Sequence, residues 1–191
     1  MNFNICIIPK IMLKYKHIME MREMLKKEDI EKFHMPRWEE LPEIDLYLDQ
    51  VVTFIDKYLH DYLQYENDNK ENKIVTKTMI NNYVKQKVMD APIQKKYNRN
   101  SLAYLFVICI LKQVYSINDI DKLIKTILKD TPIDIAYNGF CDTLEDAIYS
   151  TLINKKFVVD TSTCSENRYV LLNVVQTIAS KLYVEKFYLE K

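Results

Sequence analysis

The apolar positions of the chain fall into stripes with helical spacing. Leu48, Val51, Val52, Ile55, Leu59, Tyr62 and Leu63 recur at intervals of three and four, so Glu43 to Tyr65 predicts one continuous helix with an apolar inner face and an acidic outer one. ENDNKEN, residues 66–72, contains no apolar residue and predicts an exposed loop. Thr76 or Thr78 then caps a short helix, because a hydroxyl just outside the first turn accepts from an unpaired backbone amide. Ile80, Tyr83, Val84 and Val88 share the inner side of that helix, which leaves Asn81, Asn82, Lys85 and Gln86 outward. Ala91 and Pro92 end it, and IQKKYNRN predicts a short turn or two-stranded wing.

Asn100 or Ser101 caps a buried helix that runs through Tyr115, and Ser116 with Asp119 brackets the start of another that reaches about Lys129. Asp142 to Asn154 predicts one more. Thr163 with Glu166 reads as a capping box for the last helix, whose stripe of Leu171, Val175, Ile178, Leu182 and Leu189 is wide enough for a core and a dimer seam. Ahead of these elements, Glu20 to about Phe33 predicts a charged helix, and HMPRWEELPEID a structured linker in which Trp38 anchors the chain against the core.

Composition narrows the function classes. A chain of 191 residues that is 48% apolar and 12% aromatic can build a real core. Gly139 is the sole glycine, which removes the glycine-rich phosphate loops and dinucleotide fingerprints. With five prolines beside it, few tight turns are available and helices should dominate. The four cysteines are far apart with no C-x-x-C pair, so neither a zinc site nor a disulfide framework is indicated, and a reduced, cytoplasmic setting follows. His17, His34 and His60 are dispersed and outside H-E-x-x-H spacing, while Asp45 and Asp49 read as a solvated helix face rather than a catalytic pair. No metal, no cofactor and no enzymatic activity are expected. Residues 2–13 are apolar, but Pro9 interrupts them and no basic residue precedes them, so a signal peptide is not expected. Met12, Met19, Met21 and Met24 allow a later start, and residues 1–18 are treated as an extension. The apolar run Leu102 to Leu111 is about half a bilayer crossing, hence a buried helix and no membrane partner.

Charge is neutral only on average: 27 bases balance 27 acids over the whole chain. Residues 39–72 hold ten acids against two bases, whereas residues 73–99 hold seven bases against one acid. The bland account is that these blocks face each other as solvated surfaces. A second account is more specific. A short helix whose outer side offers amides and lysines fits a major groove, where Asn and Gln match the donor and acceptor pair of adenine, while basic residues on a flanking wing neutralise phosphates. Thr76 to Ile120 places such a helix, a basic connector and a buried helix in direct succession.

The runs LPEIDLYLDQVV, TKTMINNYVKQKV, API, KKYNRNSLAYL and LKQVYSINDI closely resemble the bacterial family known as domain of unknown function 1836, over residues 36–125. A more distant likeness is to the MerR-type winged helix-turn-helix regulators. Thr78, Ile80, Tyr83, Lys85, Val88, Met89, Pro92, Tyr97, Leu102 and Leu105 fall nearly where those regulators place their recognition helix, wing and following helix. The likeness implies that the short helix and the wing touch DNA. The chain departs from the pattern at Asn81, where a basic residue is usual, at Lys87, where glycine is usual, and in the inserted ENDNKEN.

The expected architecture is mostly α: residues 1–35 an extension and charged helix, 36–129 a winged helix-turn-helix-like, MerR-like unit, and 130–191 a helical C-terminal region that pairs two copies. The expected function is sequence-specific binding of double-stranded DNA in gene regulation by a homodimer, through Lys77, Thr78, Asn81, Asn82, Tyr83, Lys85, Gln86, Lys95, Lys96, Tyr97 and Arg99. The alternative is a non-enzymatic interaction module whose basic strip meets an acidic protein.

Overall fold

The computed structural model describes residues 30–63, 73–157 and 165–189. The N-terminal extension, most of the charged helix, ENDNKEN and Thr163 therefore lie outside the described residues. The order of elements is a 3-10 turn at Trp38–Glu40, strand β1 (Leu46–Tyr47), helix α1 (Leu48–Leu63), α2 (Lys77–Lys85), strand β2 (Lys96–Tyr97), α3 (Arg99–Leu111), α4 (Ile117–Leu128), α5 (Ile133–Leu152), α6 (Glu166–Val184) and a closing π-helical turn, Glu185–Leu189. The protein is mostly helical.

Helix α3 is the axis of the packing. Nine of its residues from Ser101 to Leu111 are buried, on all sides of the helix. Such a segment is stable only inside a shell of other elements. Phe106, fully buried, packs edge-on against Phe54 and Tyr58 of α1, each with its ring centre 5.9 Å away, and against Tyr137 of α5 at 6.5 Å. Tyr137 in turn meets Trp38 at 6.5 Å, so one aromatic chain runs from α1 through α3 and α5 to the linker. The core is continuous from Ile30 to Leu182, with no break at residues 129–130.

The linker is held by polar contacts. Arg37 donates to both carboxylate oxygens of Glu145 at 2.7 and 2.5 Å, to Asp142 at 3.0 Å and to the carbonyl of Met35 at 2.6 Å. Glu145 also accepts from the Met35 amide at 2.7 Å, and Asn138 accepts from the Trp38 amide at 2.8 Å. Hydrogen bonding to Glu145 raises the guanidinium above its usual value, so Arg37 stays charged. The expectation that Trp38 anchors the linker is met, with Arg37 doing at least as much.

Several boundaries differ from expectation, each for a local reason. The first long helix begins at Leu48 rather than Glu43, because Leu46 and Tyr47 pair antiparallel with Tyr97 and Lys96. The buried helix is capped by Asn98, whose side chain accepts from the Ser101 amide at 3.0 Å, and it ends at Leu111 rather than Tyr115. Helix α5 begins at Ile133, nine residues before Asp142: Pro132 sits at its N-cap, where a missing amide costs nothing. Ser165, not Thr163, caps α6 by accepting from Arg168 at 3.3 Å. Ser116 caps α4 as expected. The α6 stripe is largely consumed within the chain, since Val175, Ile178 and Leu182 are buried and Leu171 is half-buried, whereas Leu189 is exposed. Among the described residues no helix is long and apolar enough to cross a membrane.

Phe106→Ala should destabilise the protein by about 3–5 kcal/mol in denaturant unfolding, as expected for a fully buried aromatic. Gly139→Ala should do the opposite by about 0.5–1 kcal/mol. Gly139 lies inside α5, and a Cβ there meets nothing within 4 Å.

Candidate nucleic-acid interface

Helix α2 is short because of how it stops. Thr76 caps its start by accepting from the Met79 amide at 3.2 Å. At the other end Lys87 takes φ 58°, its amide bonds the Val84 carbonyl at 3.0 Å, and the Val88 amide bonds Tyr83 at 3.0 Å. That is a Schellman stop with lysine in the left-handed position usually held by glycine. It explains why the helix ends at Lys85 and not at Ala91. It also accounts for the departure at Lys87 noted in the sequence: the backbone bend is kept and the residue is changed.

The segment leading into α2 is pinned from two sides. The Ile74 amide donates to Asp56 of α1 at 3.2 Å, and the Ile74 carbonyl accepts from Lys112, at the end of α3, at 2.5 Å. Burial lowers the Lys112 ammonium below its ordinary value. Ile80 and Tyr83 are buried against the core, which fixes the rotation of α2. Lys77, Thr78, Asn81, Asn82, Lys85 and Gln86 are all left exposed on its outer side. The helix itself contains no acid.

The wing is a minimal hairpin. Ile93 and Lys96 exchange backbone hydrogen bonds at 3.0 and 2.9 Å around Gln94 and Lys95, which take φ 49° and 65°. Two positive φ values define a type I′ turn, normally made with Asn and Gly. Here two long polar side chains occupy it despite the steric cost of the left-handed region, and both are exposed. Beyond the turn, β2 joins β1 and not a second wing strand.

The eleven residues expected at the site divide into three groups. Lys77, Thr78, Asn81, Asn82, Lys85 and Gln86 on α2, together with Lys95 at the hairpin tip, are exposed. Lys77 is ion-paired with the exposed Asp49 of α1. Lys96 and Arg99 are half-buried: the Lys96 ammonium lies 5.1 Å from the Tyr47 ring, while Arg99 lies 5.6 Å from Trp38 and 3.5 Å from Glu43. Contrary to expectation, Tyr83 and Tyr97 turn inward, away from the exposed face. They are only 8% and 2% exposed, and burial pushes the Tyr83 phenol up to about 12. Their inward positions follow from helical spacing beside Ile80 and from the register of Tyr97 with Leu46. Lys87 and Gln94 were not expected among these residues and are also exposed; only the displaced glycine at Lys87 hinted at this.

The charge blocks therefore meet in part. Lys77 and Arg99 reach acids of the first block, whereas Lys85, Lys87 and Lys95 make no ion pair among the described residues. No group of three His, Cys, Asp or Glu side chains that could hold a metal ion occurs among the described residues.

Residues 36–140 match the family described as a domain of unknown function, DUF1836. The chain belongs to that family. No curated protein and no solved structure matches it. The DUF1836 region takes in the linker, both strands, α1 to α4 and the first turns of α5, so it carries the whole exposed face of α2 and the hairpin. It ends inside α5, with α6 packed outside it.

Lys87→Gly should stabilise the DUF1836 region by about 0.5–1 kcal/mol, because glycine relieves the left-handed conformation. Denaturant midpoints of the two proteins measure this, and a lower midpoint for the glycine variant would mean that the lysine makes a compensating contact.

Proposed function

We propose that this protein binds double-stranded DNA sequence-specifically and acts in gene regulation, with α2 as recognition helix and the Ile93–Lys96 hairpin as wing, in the manner of the MerR-type winged helix-turn-helix. One observation carries the reading: α2 turns an acid-free face of three amides and two lysines outward, and the chain then makes a hairpin whose tip holds Lys95 in a costly backbone conformation. Core packing requires none of these side chains. Base readout uses amides in the major groove, and phosphate neutralisation uses lysines beside it. Backbone strain of this kind persists where the surrounding structure supports it and clusters at functional sites.

The ion pairs Lys77 with Asp49 and Arg99 with Glu43 favour the second reading, a helical interaction module whose basic strip meets an acidic protein. Both pairs involve exposed acids and are weak in water, so phosphate can displace them. The DNA reading gives the amides a specific role in matching base edges; in the second they contribute only to the contact with the partner protein.

Fluorescence anisotropy with random duplex and a selected site, at two salt concentrations, tests the proposal. The logarithm of affinity should fall with that of salt at about 0.9 per neutralised phosphate. Lys95→Ala with Lys96→Ala should weaken all duplexes alike and lower the slope by about one per lost contact. Asn82→Ala should cost about 1–3 kcal/mol on the selected site alone, with an unchanged melting temperature. A flat salt response would overturn the DNA reading, and loss of an acidic protein partner on the Asn82 change would favour the alternative.

We also propose that two copies pair through the outer end of α6, where Val184, Tyr188 and Leu189 stay 47%, 71% and 65% exposed. A two-fold pair presents recognition helices to half-sites about 34–36 Å apart, one helical turn of DNA. Light scattering at micromolar concentration should give twice the chain mass, and Tyr188→Glu should return it to one. A monomer in both samples would sink the pairing.

A further inference from the structure

Two clefts of opposite character meet on the side of the molecule formed by α3, α4 and α5. The first has a volume of about 80 Å³ and is lined by aliphatic and aromatic side chains, among them Val107 of α3, Leu123 and Ile127 of α4, Ala136 and Phe140 of α5 and Leu171 of α6. The second has a volume of about 300 Å³ and is lined by Asp90, Asn98, Asn100, Ser101 and Thr131 together with Met89. Tyr104, Leu128 and Ile133 line both, so the clefts adjoin.

We propose that this double cleft binds a small amphipathic amine, its apolar body between α3, α4, α5 and α6 and its ammonium head in the polar cleft beside Asp90. Apart from the hydroxyls of Tyr104 and the buried Tyr137, the apolar part offers no hydrogen-bonding side chain, so a polar body would lose most of its hydration without replacement. Among the described residues, Asp90 is the one charged side chain lining the polar part. Asp121 and Lys125, which also act on Tyr104, pair with each other at 2.6 Å. The remaining head-group contacts come from neutral side chains. Ser101 donates its hydroxyl to Asn98 at 3.1 Å, which leaves that oxygen's lone pairs to accept from a ligand. An amine is therefore matched, and a carboxylate would face Asp90 directly.

None of the residues lining the cleft is among those proposed to meet DNA, and its test contains no DNA. Isothermal titration calorimetry of the full chain against octylamine, octan-1-ol and octanoate separates body from head. The expected order is octylamine first, with octanoate at least about tenfold weaker through carboxylate repulsion. Asp90→Asn changes an exposed residue and should bring amine and alcohol within about twofold, since the charge-assisted contact is gone. Ala136→Leu, which fills the apolar cleft, should weaken all three by about tenfold through lost apolar burial, with helicity by circular dichroism unchanged. Octanoate binding as tightly as octylamine overturns the assignment of the head. Absence of heat from all three at millimolar concentration, or binding that neither variant alters, overturns the site itself.

Discussion

A helix that is apolar on every side cannot exist at a surface, and α3 imposes that constraint on everything around it. Each large side chain it buries contributes about 1.5–3 kcal/mol, but only when α1, α4 and α5 and the β2 strand close over it. The aromatic chain through Phe54, Tyr58, Phe106, Tyr137 and Trp38 shows how the closure is registered. Shape and ring geometry specify which faces of α1 and α5 turn inward. Once those rotations are set, the positions of the linker and of α2 follow.

The polar contacts then secure segments that hydrophobic burial alone would leave loose. Arg37 and Glu145 fasten the linker to α5 across a sequence separation of 108 residues. Both side chains are about a quarter exposed, so their value lies in geometry, a bidentate pair with a fixed orientation, more than in raw attraction. Lys112 and Asp56 do the equivalent work for the segment before α2. The outward face of α2 is thus held by contacts made on its inward side and at its ends. Preorganised side chains lose less entropy on binding, which is what a recognition surface needs.

Of the four described residues at positive φ, three lie where α2 and the hairpin turn and the fourth, Lys155, follows α5. Lys87, Gln94 and Lys95 all adopt positive φ, and all three project polar chains into solvent. Glycine or asparagine would satisfy the backbone more cheaply at each position. Retention of longer side chains makes sense if those side chains contact something outside the chain. The double cleft lies beside the segment joining α2 to α3, through Met89, Asp90 and Asn98.

Much of the architecture was legible in the chain because it is local. The stripe from Leu48 to Leu63, the all-apolar run of α3, the Ser116 cap and the outward amides of α2 depend on spacing within one element, and spacing survives into the fold. The elements that were misplaced depend on partners distant in sequence. Leu46 and Tyr47 form a strand only because Tyr97 and Lys96 lie beside them, and two residues are too few to show a period. Tyr83 and Tyr97 are chemically suited to a DNA surface as well as to a core; only the packing of α2 and the register of β2 decided for the core. Lys87 as a helix stop was signalled only by the glycine usual at that place, because a lysine side chain does not itself favour that conformation and the surrounding hydrogen bonds impose it. Charge blocks could be counted in the sequence. Which of their members meet, Lys77 with Asp49 and Arg99 with Glu43, was decided by tertiary structure, since Coulomb attraction in water acts only over the few ångströms that folding brings about.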